Sequence, residues 1–183
     1  ESEIQSTGNA RSNAEITSNT GFLFRFAVAG GTADLNLSFE ADPSLYVEIN
    51  QLLFTNGSAQ ANMNASFSLT LDATGEQITW SPQGTAANDC VVDAGLAGVI
   101  CVEKMVGGDG ADLNRNLAVS SNPQSANYSR VAGWSAFGLN VNGLTEGNWT
   151  LAFNAVTSSS VRTVPEPSIL ALLGLAIAGM GVV

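Results

Sequence analysis

Three separate stretches of this chain alternate apolar and polar residues one for one. In ADLNLSFE, Ala33, Leu35, Leu37 and Phe39 take one side, and Asp34, Asn36, Ser38 and Glu40 take the other. NMNASFSLTLD sets Met63, Ala65, Phe67, Leu69 and Leu71 against Asn64, Ser66, Ser68, Thr70 and Asp72, and NWTLAFNA repeats the pattern with Trp149, Leu151 and Phe153. Successive side chains of an extended strand point to opposite faces, so a period of two collects all the apolar groups on one face; a helix would scatter them around its axis. Each stretch therefore reads as a strand with one buried and one wet face.

Further strands are expected at 21–29 (GFLFRFAVA), 45–54 (LYVEINQLLF), 76–80 (EQITW), in the two arms around Cys90 and Cys101, and at 129–141 (SRVAGWSAFGLNV). Turn-forming residues separate them: Gly30-Gly31, Asp42-Pro43, Asn56-Gly57, Gly75, Pro82, Gly107 to Gly110, Asn122-Pro123 and Asn142-Gly143. Many short antiparallel strands with no helical pattern between them predict an all-β fold, an antiparallel, jelly-roll-like β-sandwich over residues 21–156. Residues 1–20 hold only Ile4 and Ile16 as large apolar groups and read as a polar arm or an edge strand. Residues 157–167, TSSSVRTVPEP, read as a Ser/Pro linker, and 168–183 as one apolar C-terminal helix.

Composition removes several classes of function. The 183 residues carry a net charge of −10 with only six basic residues, Arg11, Arg25, Lys104, Arg115, Arg130 and Arg162. They form no cluster able to neutralise a run of phosphates, so nucleic acid is excluded as a partner. An anionic membrane surface would repel such a body, leaving only transient membrane contact through the C-terminal helix. Without histidine no Ser–His or Cys–His pair can be built, and Lys104 is the lone lysine. Sixteen acids supply carboxylates for a glycosidase pair, but nothing in their spacing selects two. The chain is therefore read as no enzyme.

The chain begins at Glu1 without methionine, and the expectation is that a signal peptide has been removed. Cys90 and Cys101 bracket CVVDAGLAGVIC and read as a hairpin stapled across its base, in keeping with export to an oxidising compartment. Two reduced core thiols are the alternative.

Three weaker patterns concern ligands. GGDGADLNR, 107–115, resembles one turn of the calcium-binding nonapeptide repeat, with Asp109, Asp112 and Asn114 as candidate oxygen ligands; a polar loop is the alternative, and no other cofactor is expected. Trp80, Trp134 and Trp149 are candidates for a glycan-stacking platform or for core packing. Asn36, Asn56, Asn64, Asn127 and Asn148 open N-x-S/T triplets and are candidate glycosylation sites.

The chain closes with VPEPSILALLGLAIAGMGVV, uncharged from Ser168 onward. As a helix that run is about 24 Å long, short of the ~30 Å hydrocarbon core of a bilayer. Val164, Pro165, Glu166, Pro167 and Ser168, followed by ILALLGLAIAGMG, resemble the PEP-CTERM sorting tail of Gram-negative bacteria over residues 164–183. The resemblance implies secretion, processing by an exosortase, and delivery to the cell surface or extracellular (biofilm) matrix; the arginines that close the family's tail do not follow Val183. Ala171, Gly174, Ala178 and Gly181 recur at spacings of three, four and three, which places them on one stripe and lets helix backbones approach closely. Copies that pack along this seam would bury roughly 1,000 Å² of apolar surface each. The expected function is a secreted structural protein that self-assembles into a filament or surface layer, helices in the core and β-domains outside. A matrix polysaccharide-binding module released by exosortase processing is the alternative.

Overall fold

A computed structural model describes residues 13–49, 55–83, 88–106, 112–120, 123–129 and 133–165. Among them every regular element is a strand: β1 (Asn13–Val28), β2 (Ala33–Ala41), β3 (Ser44–Ile49), β4 (Thr55–Leu71), β5 (Gln77–Trp80), β6 (Cys90–Val92), β7 (Ile100–Val106), β8 (Arg115–Val119), β9 (Gln124–Ser129), β10 (Ser135–Leu144) and β11 (Gly147–Pro165). All pairings are antiparallel. The expected C-terminal helix, with its seam residues Ala171, Gly174, Ala178 and Gly181, lies outside the described residues.

The main sheet runs β1-β11-β4-β5-β6, with β8 also pairing β4. Its backbone is three long strands in unbroken register: Asn13↔Arg162 to Val28↔Gly147 between β1 and β11, and Trp149↔Leu71 to Pro165↔Thr55 between β11 and β4. This register aligns the alternation of the separate stretches. Phe22, Phe24 and Phe26 of β1 fall beside Phe153, Leu151 and Trp149 of β11, which fall beside Phe67, Leu69 and Leu71 of β4. One face of the sheet is thus apolar over its whole width.

Two smaller sheets cover that face over β4, β5 and much of β11. In the three-stranded sheet β2-β10-β7, Leu35, Leu37 and Phe39 stand beside Val141, Leu139 and Phe137. These residues form one core with Trp80, Trp149, Phe67, Leu69 and Ile78 of the main sheet, a sandwich-like packing of two layers. Phe39 is the keystone, stacked on Phe137 at 5.2 Å between ring centroids and tilted against Phe67 at 5.3 Å. Further along β4 the same face carries Ala59 and Ala61. Small side chains there let the two-stranded sheet β3-β9 sit close, and Val47, Ile49 and Val119 close a second, thinner core.

Three expectations need correction. Residues 157–165 are not a linker but the end of β11, paired with β4 throughout and with β1 as far as Arg162. TSSSVRTVP has the polarity of a flexible segment. A strand flanked on both sides, however, draws its order from two ladders and needs little apolar surface of its own: Ser158 pairs with Thr17 and Asn62, and the Asn62 amide donates to Ser158 Oγ at 3.2 Å. Nor do the cysteine arms make a hairpin, since β6 belongs to the main sheet and β7 to the three-stranded one. The segment between them, with Leu96 and Val99 buried and Gly98 at φ 90°, crosses from one layer to the other. The expected strand at 129–141 is broken into β9, which ends at Ser129, and β10, which begins at Ser135 just after Gly133 at φ 76°.

Candidate functional site

The two borders of the main sheet are built differently. At the β6 border, the Cys90–Cys101 disulfide ties the two layers together with 6.0 Å between Cα atoms. Asn88 completes this corner. Its Nδ2 donates to Cys101 O at 2.8 Å and its Oδ1 accepts from Glu103 N at 3.0 Å, so one carboxamide satisfies the edge of β7 as a neighbouring strand would. Asp89 N donates to Glu103 Oε2 at 3.3 Å. Glu103 stands opposite Leu139 on the inward side of β7. Burial pushes its carboxyl above the usual value, the Asp89 N–H and the Trp80 indole pull it back, and the Asp89 charge raises it again. Trp80 Nε1, fully buried, has no hydrogen-bond partner of good geometry.

The segment 112–114 packs beside this corner and explains what the calcium-like motif does. The second side of β4 is shared by β8 at Ala59–Met63 and β5 at Phe67–Thr70. Between them the N–H of buried Ala65 is satisfied by Asn114 Oδ1 at 3.1 Å, while Asn114 Nδ2 donates to Pro82 O at 2.9 Å. A backbone donor left unpaired there would carry a penalty, and the asparagine removes it. Asp112, also buried, accepts from Asn114 N at 2.7 Å and from Arg115 Nη1 at 3.4 Å. Burial raises its carboxyl above the usual range against the pull of Asn114 and Arg115. Arg115 in turn lies over the Tyr128 ring at 5.1 Å, and Tyr128 Oη accepts from Asp112 N at 2.6 Å. Asn114 is thus committed at both ends of its amide to the fold, a correction to its candidacy as a calcium ligand. Asp109 lies outside the described residues, and among those described no group of three or more acidic or cysteine side chains is placed to hold a metal ion.

The tryptophans do not form a platform. Trp80 and Trp149 are core residues, Trp149 Nε1 donating to Thr145 O at 3.0 Å, whereas Trp134 is 70% exposed. Glycan stacking therefore keeps Trp134 alone. Asn36, Asn64, Asn127 and Asn148 lie exposed on strands rather than in loops, and the Asn56 side chain is outside the described residues. Of the sorting motif, Val164 and Pro165 end β11 opposite Asn56 and Thr55; Glu166, Pro167 and Ser168 are not among the described residues.

At the opposite border, β1 pairs only with β11, and its outer edge has no partner among the described residues. Phe22 and Phe24 lie on the apolar face by register, yet they are 50% and 57% exposed because the three-stranded sheet does not cover them. Leu23 points the other way and is 61% exposed. Phe22 rests on Phe153 with centroids 5.4 Å apart, and Phe24 on Phe26 at 6.0 Å. From Ile16 to Val28 the only charged residue is Arg25, in a chain with sixteen acids. The sequence signal for this feature is the break in alternation: three consecutive large apolar residues in GFLFRF force one onto the wet face.

No family model and no curated protein matches the chain. Among solved structures it is similar to that of the infectious bursal disease virus Gx strain, at 14% identity and a TM-score of 0.14 over 88% of this chain and 43% of that one. A VP2 subviral particle of the same virus gives 12% identity and a TM-score of 0.13 over 87% and 42% of the two chains. The chain spans about two fifths of the length of these viral proteins, and likenesses this distant carry no argument about its fold or function.

Proposed function

We propose that this chain is a secreted structural protein of the PEP-CTERM class in a Gram-negative bacterium, addressed by an exosortase, with no catalysis of its own, and that it acts by self-assembly. In this reading jelly-roll-like bodies are displayed outward. The apolar tails pack along Ala171, Gly174, Ala178 and Gly181 in the core of a filament or a cell-surface or biofilm-matrix layer.

The observation that carries the reading is where the motif leaves the body. Val164 and Pro165 are the last residues of β11, which β4 pairs as far as Pro165 and β1 pairs as far as Arg162. A tail held by neighbours would therefore pull first on the β4 ladder and, from Arg162 inward, on the β1 ladder as well, rather than on a loose connector. The disulfide between the layers suits an oxidising, extracellular setting. The polysaccharide-binding alternative retains Trp134 as its one exposed tryptophan.

The test is the intact mass of native protein collected from culture supernatant without detergent. A mass that includes the run to Val183 is expected. A mass ending between Val164 and Ser168 would reduce the tail to an address and overturn its role in the core.

A further inference from the structure

We infer that the outer edge of β1 is a lateral contact between copies of this chain, formed by antiparallel pairing of β1 with β1 of a second copy about a two-fold axis at Leu23. The inference rests on the assembly reading above and adds a contact that reading does not contain.

Natural sheets protect their edges with lysine, proline, bulges or short strands. Between Asn13 and Val28, β1 carries Glu15 and Arg25 as its only charges: it is sixteen residues long, its register with β11 has no shift, and it contains neither proline nor lysine. The border on the far side of the same sheet is closed by a disulfide and by Asn88. The open edge also carries the exposed trio Phe22, Leu23 and Phe24.

A second copy suits this edge for three reasons. Antiparallel pairing centred on Leu23 sets Phe22 opposite Phe24 of the other copy, Phe24 opposite its Phe22, and Leu23 opposite its Leu23. All three exposed apolar groups then find apolar partners on their own face, in the cross-strand positions where aromatic pairs stabilise sheets. Charge is compatible as well. Each copy carries −10, but the stretch from Ile16 to Val28 has no acid, so copies can meet here without opposing carboxylates. The area fits a reinforcing contact rather than an independent one. The exposed parts of the trio come to about 300 Å² per copy, and both copies with their edge backbone stay near or below the ~1,000 Å² of a stable interface. Such an edge pairs when something else raises the local concentration, as packed tails would.

The test uses the full chain carrying Leu23→Cys, with Ile100→Cys, an exposed position on β7, as the control, and mild oxidation followed by mass analysis that verifies the Cys90–Cys101 bond is intact. Leu23→Cys is expected to give an inter-copy disulfide at least about tenfold faster than Ile100→Cys, and Leu23→Lys, which sets like charges opposite each other, to slow sedimentation of the assembled material. Equal cross-linking at the two positions overturns the inference. If the material still polymerises in that case, the edge is refuted and the assembly reading stands. If Leu23→Cys cross-links while the native mass ends before the apolar run, the edge stands and the tail-core reading falls.

Discussion

The closed border at β6 and the open border at β1 belong to one sheet, and they differ in what their residues are committed to. At β6, Cys90, Asn88 and Asp89 are all bonded across the gap to Cys101 and Glu103 of the second layer. At β1, sixteen residues bond inward to β11 and present a backbone edge and three apolar side chains outward. The difference separates stability from association. Changes at the first border should be felt as loss of fold, and changes at the second as loss of contact between copies.

Breaking the disulfide should have the largest effect. Replacing Cys90 and Cys101 together by serine is expected to lower stability by about 3 kcal/mol, the loop-closure value for a bridge of this span, read as a fall in denaturant midpoint. An unchanged midpoint would mean that the layers are held by the Phe39–Phe67–Phe137 core alone. Next comes Asn114→Ala, which strands the Ala65 N–H between β5 and β8 and should cost about 1–3 kcal/mol. Leu23→Lys serves as the contrast: an exposed substitution, expected to stay within about 0.5 kcal/mol of wild type in stability while weakening association.

The smallest effect is the pH dependence of the closed corner. Burial holds the Glu103 carboxyl above its ordinary 4.5. As pH rises through that value the unfolded chain releases its proton first, so the fold binds more protons than the unfolded state and loses stability with rising pH. Glu103→Gln removes this decline, and thermal melts should show the variant gaining on wild type between pH 4 and pH 7. Parallel melting curves would place Glu103 in water.

Alternation made the buried faces of β2, β4 and β11 legible at once, because a period of two has a single structural meaning there. The two cysteines were legible as a pair. Which layer each arm joins was not, since period reports the face of a strand and never its neighbour. TSSSVRTVP reads as a linker for a related reason: its order comes from β1 and β4, whose paired residues lie 147 and 102 positions away along the chain, as in Ala14↔Val161 and Ala59↔Val161. Asn114 was noticed for a cation because oxygen ligands and backbone acceptors are the same chemical group; only the gap in the β4 ladder distinguishes the two uses. Leu23 carried its signal openly, as an apolar residue out of phase with its neighbours.

Sedimentation velocity of the native full-length protein in detergent-free buffer, over a range of concentrations, tests self-assembly most directly. Species far larger than a dimer are predicted, persisting on dilution. A single monomeric boundary at every concentration would contradict assembly as the function of this chain.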